Sequence, residues 1–138
     1  AFPRSEGGTT PASIFRAGIA TWARSLVRAS ARGFVRMLYI VHIAIDGHRA
    51  TDWVQWMVHA HIPAVLATGC FVSASLARDV EADGSGRVGY RVFFRSATDA
   101  DVDRYLDRHA TRLQHDHEER YAGAFTATRE VLPLVSHF

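Results

Sequence analysis

The sequence predicts an α+β domain of order β-α-β-β-α-β over residues 37–138, preceded by a basic amphipathic helical extension over residues 1–36. Three observations carry this reading. Short β-branched and aromatic runs alternate with two segments whose apolar residues recur at helical spacing. The apolar fraction of 48% with 22% charge suits one globular core in a chain of 138 residues. Charge also divides the chain. Residues 1–36 hold six arginines and one acid, for +5, whereas residues 37–138 hold ten arginines and thirteen acids, for −3.

The Gly/Pro/Thr-rich start, "AFPRSEGGTTP", is expected to be irregular. Phe15, Ile19, Trp22 and Leu26 then fall on one helical face, and Arg24, Arg28, Arg32 and Arg36 form a stripe away from it. "MLYIVHIAI" reads as a strand ended by Asp46-Gly47. Thr51 is placed to cap a helix carrying Trp53, Trp56, Met57 and Ala60 on one face, and Pro63 bars its simple continuation. "GCFVSASLA" reads as a second strand, "ADGSG" as a hairpin turn and "RVGYRVFFR" as a third strand. Ser96 or Thr98 caps a second helix with Asp99 and Asp101 in its first turn, where carboxylates suit the helix dipole. Val102, Tyr105, Leu106, His109 and Leu113 form its buried stripe, and "AFTATREVLPLV" supplies the last strand. This order is the ferredoxin-like split βαβ arrangement. Its antiparallel sheet carries helices on one face only, so the apolar second face is expected to be covered by a partner or another segment.

Composition excludes several function classes. A single cysteine, Cys70, permits no internal disulfide and reads as a small core residue. No secretory signal pattern is visible. The uncharged stretch from Trp53 to Ala77 has histidines, Pro63 and Gly69 near its middle, which disfavours a bilayer span. The acidic domain lacks an aromatic RNA-binding pattern on its strands, so nucleic acid is not the expected partner. "GSG" at Gly84–Gly86 lacks the length and lysine of a phosphate loop.

"MLYIVHIAID", "HIPAVLATGCFVSASL", "YRVFFRSATDADVDRYLDRHATRL" and "FTATREVL" together resemble a small, uncharacterised family of the dimeric α/β-barrel superfamily. The resemblance covers residues 37–138. It implies two ferredoxin-like units packed sheet to sheet around a cleft, and it implies no particular reaction. Relatives in that superfamily include monooxygenases, isomerases and decarboxylating enzymes. It also implies that a histidine near the end of the first helix borders a pocket.

His59 and His61 at that helix end are poorly spaced for one metal, and "HDHE" at His115–Glu118 shares the weakness. Helix-end histidines favoured by the dipole are the plainer reading, so neither metal nor cofactor is expected. An alternative catalytic set is His42 and Arg91 on the open sheet face, with Ser73 and Ser75 beside them and His61 at the rim. The plainer reading pairs His42 and Arg91 with interface groups.

Two functions follow. In the first, the chain is a non-catalytic accessory subunit of a large mitochondrial assembly, a respiratory complex or ATP synthase foremost. Its opening at Ala1 is then that of a matured chain. Arg16, Trp22, Arg24, Arg28, Arg32 and Arg36 would contact neighbouring subunits or an anionic, cardiolipin-rich surface. In the second, it is a soluble homodimeric α/β-barrel protein that binds or transforms a small organic acid or aromatic compound.

Overall fold

A computed structural model describes residues 35–79 and 85–136. Arg16, Trp22, Arg24, Arg28 and Arg32 of the basic extension lie outside the described residues; Arg36 is described and exposed. The first strand, β1, runs Met37–Asp46. A short 3-10 turn at Gly47–Arg49 leads into α1, Ala50–Trp56, a widened turn at Met57–His61, and α2, Ile62–Leu66. Strands β2, Ser73–Asp79, and β3, Arg87–Ser96, follow. Helices α3, Asp99–Arg108, and α4, Ala110–Tyr121, then lead to β4, Phe125–Pro133. The sheet order is β2-β3-β1-β4 with every neighbouring pair antiparallel, which is the ferredoxin-like topology.

Alternation along β1 sorts the two faces. Met37, Tyr39, Val41, Ile43 and Ile45 are buried beneath the helices. Leu38, His42 and Ala44 lie on the other face and keep part of their surface, whereas Ile40 there is already buried by its neighbours. The helices contribute Trp53, Met57, Val65, Val102, Tyr105, Leu106, Leu113 and Tyr121 to one continuous core. Tyr39, Phe71, Phe94 and Tyr105 form an aromatic cluster within it, with ring centroids 4.9–6.1 Å apart. At the start of α3, Thr98 accepts a hydrogen bond from the Asp101 backbone N–H, with Asp99 and Asp101 in the first turn.

The structure departs from the sequence reading at four places. Helix α1 starts at Ala50, continuous with the 3-10 turn, so Thr51 is an exposed helical residue rather than the cap. Pro63 does not end the helical path. It offers no N–H, and its ring would crowd the carbonyl four residues back. The Met57–His61 turn is instead widened, with the Ile62 N–H bonding to the Met57 carbonyl five residues earlier. An added residue in that turn shifts the carbonyls ahead of Pro63 and lets the chain continue. Strand β2 begins at Ser73, so Cys70 lies in the bend before it, buried beside Phe71. The second helical segment breaks at His109 (φ −124°) into α3 and α4.

Candidate functional site

The open sheet face brings together what strand alternation expected. His42 and Arg91 are direct cross-strand neighbours, and Ser73 and Ser75 lie on the same face. His42 and Arg91 each have an acid beside them. His42 Nε2 lies 2.7 Å from Glu130 Oε2, and Arg91 Nη2 donates to Asp79 Oδ2 at 3.3 Å. At the end of the sheet Arg87 Nε donates to Asp46 Oδ1 at 2.9 Å. A shallow depression of about 350 Å³ lies over His42, Ala44, Gly89 and Thr128.

His61 is not at the rim of this face. It sits on the opposite side of the sheet, stacked on Trp56 with centroids 4.8 Å apart and set edge-on to His117 at 5.7 Å. The reason is its place at the end of the widened turn, four residues after buried Met57 and therefore on the core side of the helix. His42, Arg91 and His61 thus do not form one site.

A second arrangement lies between the sheet and the helices. Tyr39 and Val41 of β1, Val92 and Phe94 of β3, Tyr105 of α3, Gln114 and His117 of α4, Arg129 of β4 and His61 enclose a chamber of about 30 Å³. That volume holds one or two water molecules. Arg129 is 8% exposed and His117 is 4% exposed. Among the described residues, no carboxylate forms an ion pair with Arg129. Among the described residues, three buried side-chain atoms lack a hydrogen-bond partner: Gln114 Nε2, His117 Nδ1 and Arg129 Nη1. All three belong to residues that line this one chamber.

The family model described as "Domain of unknown function (DUF4286)" matches residues 36–135. The chain belongs to the DUF4286 family. No curated protein matches it. Among solved structures it is similar to an ethyl tert-butyl ether D (EthD) family protein from Bacillus halodurans C-125. The identity is 8%, the TM-score is 0.52, and the match covers 68% of this chain and 96% of that one. It is also similar to a dimeric ferredoxin-like protein from an uncultured marine organism. That match has 9% identity and a TM-score of 0.46, and covers 75% and 99% of the two chains. The first of these matches shows a shared fold and nothing more.

In this DUF4286 domain the chamber's chemistry follows from its hydrogen bonds. The Trp53 indole Nε1–H donates to His117 Nε2 at 2.8 Å. Neutral imidazole carries one proton, so His117 must hold it on Nδ1, the nitrogen without a partner. Burial and then the nearby His61 push the His117 pKa down to about 3. Burial and then Arg129 push that of His61 down to about 4. Both rings are therefore neutral at pH 7. Burial raises the Tyr39 hydroxyl above its usual range, opposed by Arg129 and Gln114 beside it, so it stays protonated. All three unpartnered atoms are thus hydrogen-bond donors. An amide flip of Gln114 would exchange one of them for an acceptor and leave the other two unchanged.

His61 also borders a wider groove of about 510 Å³ on the protein surface, together with Trp56, Leu113, Asp116, Glu119 and Arg120. Among the described residues, no three His, Cys, Asp or Glu side chains gather where a metal ion could be held, and no helix is long and apolar enough to cross a membrane.

Sequence reasoning expected His61 at the end of a helix, whereas the helical path runs on through it into α2, and it missed Arg129, His117, Gln114 and Tyr39. The signals existed. Arg129 alternates with Ala127 and Val131, both buried, while Thr128 falls between and is exposed. His117 is four residues from both Leu113 and Tyr121, on the buried stripe of α4.

Proposed function

We propose that this DUF4286 domain is a small-molecule-binding protein whose ligand, a small organic acid or aromatic compound, places its polar end in the chamber between sheet and helices. The observation that carries the reading is the gathering of the three unpartnered buried polar atoms around one cavity. Such atoms are rare, and each costs about 1–3 kcal/mol. A ligand that supplies their partners returns that free energy as affinity. The open sheet face, with Leu38, Phe93 and paired charges, is the surface through which a second copy would associate. The test is thermal unfolding of the full chain with millimolar benzoate, salicylate and phenol, repeated in Val65→Phe, which fills the chamber. At least one compound raises the transition temperature of the parent protein and none raises that of the variant. Identical shifts in both proteins would refute the reading.

A second reading rests on the charge of residues 1–36. An arm of +5 ahead of an acidic domain favours a protein that docks as an accessory subunit of a mitochondrial assembly. In it, Arg16, Trp22, Arg24, Arg28, Arg32 and Arg36 would meet neighbouring subunits or a cardiolipin-rich surface. Blue-native electrophoresis of a mild detergent extract decides it. A megadalton-scale band supports docking, and a band near 31 kDa, twice the 15.3 kDa chain, contradicts it.

A further inference from the structure

Resting on the small-molecule reading above, we infer that the chamber is an oxyanion pocket. It takes the carboxylate head of a monoacid whose flat, apolar body lies outside in the groove between His61, Trp56 and Leu113. Three observations lead there. Arg129, His117 and Gln114 present donors, and although the Tyr39 hydroxyl lies beside two of these side chains, the three unpartnered atoms meet no acceptor among the described residues. Donors of this kind select an acceptor-only group, and a carboxylate accepts from several at once. Arg129 brings a full positive charge into a core where the described residues offer it no ion pair, so the occupant that balances it is an anion.

Size sets the rest of the ligand. The chamber's 30 Å³ accommodates a head group in place of water and nothing larger, whereas the adjoining groove of about 510 Å³ has room for a ring. His61 lines both spaces and is stacked on Trp56. Its ring therefore stands between groove and chamber, and swinging it is the shortest way to join them. His61 is a gate, not a partner in holding charge, because both it and His117 are neutral at pH 7. The flat faces of Trp56 and His61 suit an aromatic or alicyclic body.

The experiment is isothermal titration of the full chain at pH 7 with benzoate, benzamide, acetate and inorganic phosphate. Benzamide matches benzoate in shape and lacks its charge; acetate has the head without the body. Benzoate binds, and benzamide and acetate each bind roughly tenfold or more weakly, as expected for loss of one charge-assisted hydrogen bond or of the buried ring. In Arg129→Met the preference for benzoate over benzamide disappears. In His61→Ala benzoate associates faster by stopped-flow while the preference is kept. Equal binding of benzoate and benzamide, abolished in both by Val65→Phe, would overturn the oxyanion assignment and leave the chamber reading standing. Tighter binding of phosphate than benzoate would overturn the carboxylate class. Absence of binding by all four would overturn both readings. The comparison of ligands on the parent protein decides the matter even if Arg129→Met does not fold.

Discussion

Replacing Arg129 by methionine is expected to stabilise the ligand-free protein. Arg129 is 8% exposed, no described carboxylate pairs with its guanidinium, and its Nη1 atom has no partner among the described residues. A buried charged donor left unmet costs about 1–3 kcal/mol, and exchanging buried ions for apolar side chains of similar length is commonly neutral or stabilising. Methionine retains an unbranched stem against Val41 and Tyr39 and brings no charge. Against the gain stands the lost contact with the Tyr39 hydroxyl, about 1 kcal/mol for one hydrogen bond. The balance is a gain of about 0–2 kcal/mol, at most roughly 10 °C in a domain of this size. Urea unfolding of both proteins at pH 7, followed by tryptophan fluorescence and extrapolated at equal m, measures it. A loss of more than about 1 kcal/mol would refute the reasoning, because it would mean that Arg129 is already satisfied within the fold.

Stability should fall in mild acid. His61 and His117 have folded pKa values of about 4 and about 3, below the ordinary 6.5, so the unfolded chain binds protons first. The stabilisation is complete above pH 6.5 and is lost downward toward pH 4 and 3, at about 1.4 kcal/mol per pH unit for each ring. Urea titrations at pH 7 and pH 5 should show the drop, and His117→Gln should reduce it by about half. Trp53→Phe removes the donor to His117 Nε2 and leaves a void, costing roughly 2–4 kcal/mol by the same assay. A cost below about 1 kcal/mol would mean that this bond does not fix the histidine. On the open face, His42→Ala breaks a half-exposed pair with Glu130 and should cost less than about 1 kcal/mol. It should leave benzoate affinity unchanged; a lost affinity would return the site to that face.

Local rules carried most of the fold and little of the site. Period-two alternation in "MLYIVHIAI" sorted Leu38, His42 and Ala44 from Tyr39 and Val41, and the pairing of His42 with Arg91 follows from register. The Thr98 cap and the stripe from Val102 to Leu113 are likewise local. Arg129 was hidden because it lies in β4, a strand at the sheet edge, where an arginine ordinarily faces water. Which parity of β4 turns inward depends on its pairing with β1, where Arg129 stands opposite Val41. His117 was read as a helix-end histidine because α4 ends only at Tyr121, one turn further on. The widened turn that carries His61 inward answers to Pro63 through backbone hydrogen bonding, which apolar periodicity does not report.

The most direct measurement is a crystal structure of the full chain grown at pH 7 with 4-iodobenzoate, using the anomalous signal of iodine to fix the ligand's direction. The account places the carboxylate within hydrogen-bond distance of Arg129 Nη1 and His117 Nδ1, with iodine in the groove beside Trp56. Iodine found only over His42 and Thr128 on the open sheet face, with the chamber holding water, would contradict it.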